Sequence, residues 1–150
     1  MGCSLALCGD IVYAARSSYL LLAFVNIGLI PDMGATWLLP RLAGRARAQA
    51  MMMLGERIPA EKAEAWGLLY QTVDDAALMA TARAAAAKLA KGPTQSYRLI
   101  RQGLKESMEK SLSQTLWLER ANQRVASATS DFAEGVEAFL QKRPPLFKGR

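Results

Sequence analysis

Two residue types that often carry chemistry are scarce: the 150-residue sequence has no histidine and only two cysteines. The absence of histidine excludes Ser-His-Asp and Cys-His catalysis within this chain, so proton transfer must fall to Asp, Glu, Lys, Tyr or Cys. Cys3 and Cys8 lie in one predicted helix at a spacing that does not favour a disulfide, and without histidine a zinc site is poorly supported. We interpret both as small buried hydrophobic residues and expect a reducing, cytoplasmic location.

Long apolar runs are missing as well. No run approaches the ~18 residues that a membrane-spanning helix needs, and the first residues lack the basic segment and long apolar stretch of a signal peptide. No membrane partner is therefore expected. With 51% hydrophobic residues, the chain is long enough to form one globular domain with a core.

The charge balance is basic, with 19 Lys and Arg against 13 Asp and Glu and a net charge of +6. Such an excess can serve nucleic acid, a membrane surface or a phosphorylated ligand. The basic residues are scattered, and no aromatic-rich basic groove or nucleic-acid motif accompanies them. We therefore predict no nucleic-acid partner, and solvated helix faces account for most of these charges.

The most informative stretch is Gly28–Thr36, which reads Gly-Leu-Ile-Pro-Asp-Met-Gly-Ala-Thr. Its first glycine permits a turn that a residue with a Cβ resists, and Pro31 fixes one φ angle. Asp32 thus lies in a rigid loop between two apolar runs, Leu20–Phe24 and Trp37–Leu39. Spacing alone leaves two interpretations open. Asp32 either caps the following helix, which is the commoner role, or serves as a catalytic base.

Six stretches, of which the third is the start of this loop, follow one another in a characteristic order. They are Gly2–Leu7, Asp10–Ala15, Gly28–Asp32, Thr36–Gly44, Ala60–Leu68 and Glu134–Arg143. Together they resemble the crotonase (enoyl-CoA hydratase/isomerase) superfamily, in which the fifth stretch is similar to the pattern A-x-x-A-x-x-x-G-L. The resemblance covers essentially the whole chain and is to the C-terminal portion of such an enzyme. Within the family, the chain most resembles an isomerase branch that acts in bacterial phenylacetate degradation.

The resemblance implies an α/β fold: a partial crotonase ββα spiral core over residues 1–74, followed by a C-terminal helical region over residues 75–150. The hydrophobic pattern agrees: Asp10–Ala15 is β-prone, the apolar run Tyr19–Val25 is consistent with one strand, and Leu68–Val73 is predicted to be a short strand. The later sequence is predicted to be helical over about Ala76–Lys91, Thr94–Glu109, Leu112–Thr129 and Asp131–Gln141. In the family the helical region builds the trimer interface and part of the acyl-CoA pocket. Trimers or dimers of trimers are therefore expected.

The same resemblance implies a chemistry. Crotonases hold a thioester carbonyl in an oxyanion hole of two backbone N–H groups, and an acidic side chain moves a proton. The substrate would be a coenzyme A thioester, with no separate cofactor and no metal. The two glutamates of the hydratases fall on Ser4 and Phe24, so hydration by that route is disfavoured. Asp32 resembles the aspartate base of some family isomerases, and we predict it to be the catalytic residue.

Other site positions are implied in the same way. One oxyanion donor lies upstream of the matched stretches and the other falls on Met1, which leaves Gly2 as the nearest amide. Phe24 and Pro31 are predicted to contact substrate, and Lys142 resembles a lysine that contacts coenzyme A phosphate. Three functions remain open: an isomerase dependent on Asp32, a non-catalytic fragment that acts only through oligomer assembly, and an enoyl-CoA hydratase.

Overall fold

The computed structural model describes residues 2–150, and the chain divides into two compact units, one ending at Ala82 and the other comprising Arg83–Arg150. The first unit combines short helices and strands, and the second is helical. The mixed structure gives way to continuous helix shortly after Asp74, whereas the division between the units lies further along the chain. The roles assigned to residues 1–74 and 75–150 stay predictions.

The first unit holds short elements. In chain order they are α1 (Gly2–Ala6), β1 (Tyr13–Ala15), β2 (Tyr19–Leu20), a 3-10 helix (Ala23–Ile27), α2 (Ala35–Ala43), α3 (Arg45–Leu54), β3 (Ile58–Pro59), α4 (Ala60–Ala65), β4 (Gln71–Val73), a second 3-10 helix (Asp75–Ala77) and the start of α5 (Leu78–Ala90). β1 pairs in parallel with β4, and β2 pairs antiparallel with β3. These two-stranded sheets are separate from each other.

The core of the first unit is built mainly by α2, α3 and α4. Leu39 of α2, Met51 of α3 and Ala63 of α4 are all buried in one apolar cluster. Ala35 and Ala43 flank Leu39 on the buried face of α2, at the spacing of successive helical turns. This packing fixes where α2 begins, and the loop that carries Asp32 enters the helix there.

One local expectation was wrong, and a second was wrong in part. The run Tyr19–Val25 was expected to be one strand, but only its first two residues pair, and the chain then forms the 3-10 helix. Gly28 ends that helix in the left-handed region with φ 72°, and its N–H donates to the carbonyl of Val25. A proline inside a helix is expected to kink or break it, and here α2 continues from Ala35 to Ala43 through Pro40 without a break. Burial of the neighbouring Leu39 offsets the one hydrogen bond that proline removes.

The second unit consists of the remainder of α5 with α6 (Thr94–Ser107), α7 (Leu112–Ser127) and α8 (Ser130–Leu140). Ser111 caps α7 through a reciprocal capping box with Gln114, and the Thr129 side chain caps α8. The last three helices agree with the sequence-based boundaries within two residues at each end, which is the ordinary scatter of helix ends. Among residues 2–150, no helix is long and apolar enough to cross a membrane.

The tail that follows α8, residues 143–150, is held against that helix by two carboxylates. The buried Asp131 accepts hydrogen bonds from the N–H groups of Lys148 and Gly149, at 2.7 and 2.8 Å. Glu134 forms a bidentate pair with Arg143, at 2.6 and 3.0 Å, and accepts the N–H of Leu146 at 2.7 Å. Bonds of this kind, to ionised acceptors, are the stronger class of hydrogen bond. The tail is therefore an ordered part of the second unit.

We expect this attachment to weaken in acid. The Arg143 pair, and then the Leu146 N–H, lower the pKa of Glu134 from 4.5 to about 2. A lowered carboxylate pKa contributes stability that is complete above the unfolded value and is lost as pH falls through the folded value. The protection of the Leu146 amide, measured as its exchange rate relative to the intrinsic rate at the same pH, should therefore fall between pH 4.5 and about 2.

Glu134→Gln should lower the protection of the Leu146 amide even at neutral pH and remove this acid dependence, because a neutral amide oxygen is a weaker acceptor and cannot form the charged bidentate pair. Glu137→Gln is the matched control, since that glutamate is exposed on the same helix and accepts a hydrogen bond from Gln141. Equal protection of Leu146 in the two variants would contradict the role given to Glu134.

Candidate active site

Asp32 opens a tight turn at the start of α2. Its carbonyl accepts the N–H of Ala35 at 3.1 Å, and the two residues between them are both left-handed, with φ 50° at Met33 and φ 80° at Gly34. Two consecutive positive φ angles define a type I′ turn. Since the backbone makes these bonds, the carboxylate of Asp32 is not used to form the turn, and the residue is exposed.

The capping interpretation of Asp32 is wrong. The N-cap of α2 is Gly34, and no side chain hydrogen-bonds to that helix end. The reason is the turn itself, which places two further residues between the aspartate and the first helical residue. Its role as a base, which spacing alone left open, stays a prediction.

Ser4 connects α1 to this turn. It is fully buried, and its Oγ donates a hydrogen bond to the carbonyl oxygen of Asp32 at 3.1 Å, across 28 positions of sequence. Gly2 begins the same short helix and is exposed. The structure therefore brings the helix that carries Gly2 to the loop that carries Asp32. Met1, the position implied for an oxyanion donor, lies outside the described residues.

The structure also places the three residues that were predicted to contact the substrate. Phe24 is half-buried against the core, and its carbonyl accepts the N–H of Leu29 at 2.9 Å, which ties the 3-10 helix to the start of the Asp32 loop. Pro31 is half-buried immediately before Asp32. Lys142 belongs to the second unit, where it is exposed and left-handed, with φ 53°. Contact of these three residues with a ligand stays a prediction.

Sequence reasoning missed two features of the site. It did not foresee the left-handed backbone of Met33, because only glycine or asparagine normally signals that conformation. The comparison of Ser4 with a glutamate also gave no partner for a buried hydroxyl. A lone serine in a short apolar helix was the available signal, because a buried hydroxyl requires a hydrogen-bond partner.

The two cysteines and the acidic residues offer little further chemistry. Burial raises the pKa of the Cys3 thiol, which is half-buried against the core, and this keeps it protonated. Cys8 is exposed in the turn after α1 and lies outside that helix, contrary to the sequence-based expectation. Within residues 2–150, no cluster of three or more His, Cys, Asp or Glu side chains could hold a metal ion.

Two cavities lie in the second unit. A groove of about 690 Å³ separates exposed faces of α6 and α7 and is lined by Leu99, Leu104 and Leu116 among others. A smaller cavity of about 430 Å³ lies beside α8 and is lined by Phe132, Phe139 and Phe147 among others. Both are mainly apolar, and Asp32 lines neither of them.

The fold and the sequence identify the family. The profile of the enoyl-CoA hydratase/isomerase family matches residues 1–150, so the chain belongs to that family. The crotonase resemblance and the partial α/β crotonase fold expected from the sequence are thereby confirmed. The enoyl-CoA hydratase structure from Bacillus anthracis superposes with a TM-score of 0.95 at 33% identity, over 99% of this chain and 58% of that chain.

Two curated relatives from Escherichia coli K12 carry different activities in their names. 1,2-Epoxyphenylacetyl-CoA isomerase is 50% identical over 99% of this chain and 57% of its own length. 2,3-Dehydroadipyl-CoA hydratase is 36% identical over 99% of this chain and 58% of its own length. The chain therefore spans little more than half the length of these relatives, and family membership does not decide between isomerase and hydratase.

Proposed function

We propose that this chain forms part of an acyl-CoA isomerase in which Asp32 transfers a proton on a coenzyme A thioester. The observation that carries the proposal is the contrast between three positions. Asp32 presents an exposed carboxylate on an ordered turn, whereas Ser4 is a buried hydroxyl and Phe24 a half-buried ring. The pair of carboxylates that hydration would use is thus absent from those positions. The name of the relative at 50% identity also supports isomerisation.

In the proposed reaction, the Asp32 carboxylate accepts a proton from the carbon next to the thioester carbonyl. The electron pair of that C–H bond moves onto the carbonyl oxygen and forms an enolate, and return of the proton to a different carbon shifts the double bond. Backbone N–H groups stabilise the enolate oxygen, and the Gly2 amide is the donor we assign within residues 2–150. A single carboxylate is sufficient because the same group removes and returns the proton.

The binding roles belong to the same proposal. Phe24 and Pro31 would contact the acyl group, which suits their half-buried apolar surfaces, and Lys142 would pair with a coenzyme A phosphate. The enzyme would act in the cytoplasm, in phenylacetate or fatty acid degradation, as a trimer or a dimer of trimers. No separate cofactor is required, because coenzyme A is part of the substrate.

Calorimetry and isotope exchange on the 150-residue chain test this proposal. We expect it to bind 3-hexenoyl-CoA, to convert it to the conjugated 2-enoyl thioester, and to incorporate deuterium from D₂O into the acyl chain. Formation of a 3-hydroxyacyl thioester from 2-hexenoyl-CoA, the conjugated substrate to which water can add, would instead favour the hydratase. Binding of 3-hexenoyl-CoA with neither isomerisation nor deuterium incorporation would overturn the proposal.

The second candidate is a non-catalytic chain that acts only through oligomer assembly. The observation that favours it is the limited coverage of the relatives, 57% of the isomerase. The mass of the chain in solution, recorded beside the binding experiment, distinguishes the two. An oligomer that neither binds an acyl-CoA nor exchanges protons would support the second candidate.

A further inference from the structure

The Ser4 hydroxyl has an unusual partner. The side chain has no exposed surface, so its hydroxyl must find a hydrogen bond inside the protein. Serine in a helix commonly bonds to a carbonyl of its own helix. Here the Oγ instead crosses to the carbonyl of Asp32. The only buried polar side chain of α1 is thus directed at the residue that carries the proposed proton transfer.

The turn that receives this bond needs support from outside. Met33 occupies a left-handed position that favours glycine or asparagine, and such a backbone persists only where its surroundings hold it. The Asp32 carbonyl is the point at which two restraints meet, because it accepts both the Ala35 N–H and the Ser4 hydroxyl, each at 3.1 Å. Both lone pairs of that oxygen are then used.

We propose that Ser4 is a positioning residue, whose hydrogen bond to the Asp32 carbonyl fixes the turn and thereby the direction of the Asp32 carboxylate. The inference rests on the proposed function for its catalytic consequence. The backbone of Asp32 determines where its short side chain can reach, so a shift of the Asp32 Cα and its N–Cα–C unit would move the carboxylate away from the reacting carbon. A misplaced catalytic group reduces turnover more than it reduces ligand binding.

Three variants separate the hydrogen bond from packing. Ser4→Ala removes the donor, and Ser4→Cys nearly preserves the side-chain volume with only a weak donor. Ser18→Ala is the matched control, because its hydroxyl also bonds to a backbone carbonyl, that of Ala15, in a turn of the same unit. We expect the Ala35 amide to exchange about five- to tenfold faster in both Ser4 variants, as for one lost buried hydrogen bond, and to be unchanged in Ser18→Ala.

The catalytic consequence has its own measurement. In the deuterium-exchange assay, both Ser4 variants should lower kcat about tenfold, at an unchanged KM for 3-hexenoyl-CoA, as a positioning loss predicts. Wild-type exchange of Ala35 in both Ser4 variants would overturn the inference, as would an equal fall in the Ser18→Ala control. If Asp32→Asn turns over normally, the proposed function fails instead, and the exchange of Ala35 still decides whether Ser4 holds the turn.

Discussion

Replacing Asp32 with asparagine should reduce isomerase turnover by about 10³-fold, in the middle of the range for loss of a general acid–base residue. An amide has no basic oxygen that can accept a proton from carbon, so deuterium incorporation should fall with isomerisation. The initial rate of conjugated thioester formation from 3-hexenoyl-CoA measures the loss. The effect should be on kcat, because the apolar contacts that bind the acyl group are unchanged.

The same substitution should leave the fold almost unaffected. The structure uses the backbone carbonyl of Asp32, which accepts the Ser4 hydroxyl and the Ala35 N–H, and asparagine keeps that carbonyl. Asparagine also tolerates turn positions as well as aspartate does. Glu56→Gln is the matched control, an exposed carboxylate of the same unit changed to an amide. Wild-type turnover by Asp32→Asn, or an equal loss in the Glu56 variant, would refute the assignment.

The sequence predicted the helices better than the strands. Helix ends carry local signals, such as Ser111 with Gln114 at the start of α7 and Gly55 after α3, and these give boundaries close to those observed. The strands of this chain are two or three residues long, and their pairing depends on residues far away in sequence. An apolar run such as Tyr19–Val25 therefore indicates burial without specifying whether the backbone is a strand or a 3-10 helix.

The candidate site was predictable to the level of residue types. The position of Asp32 followed from the Gly and Pro that surround it, and the family resemblance supplied its role. The Ser4 hydrogen bond could not be read from the sequence, because no pattern pairs residues 28 positions apart on a helix and a turn. The left-handed conformation of Met33 could not be predicted either, since it is imposed by the turn between α2 and the preceding loop.

The site depends on the core beneath it, and we expect Leu39→Ala to destabilise the first unit by about 2–5 kcal/mol. Leu39 has no exposed surface and lies on α2, the helix that the Asp32 turn enters, between the small residues Ala35 and Ala43. Small neighbours cannot extend to fill the space that the leucine leaves, so the cavity remains and adds to the lost transfer free energy.

Urea unfolding followed by tryptophan fluorescence measures this loss. Trp37 and Trp66 lie in the first unit and Trp117 in the second, so a Trp117→Phe background makes the signal specific for the first unit. Leu42→Ala, three residues along the same helix, is the matched control; its leucine is 39% exposed, and the loss should stay below about 1 kcal/mol. Because α2 anchors the turn, Leu39→Ala should also accelerate exchange of the Ala35 amide. Equal stability of the two variants would mean that α2 is not the element that holds the candidate site in place.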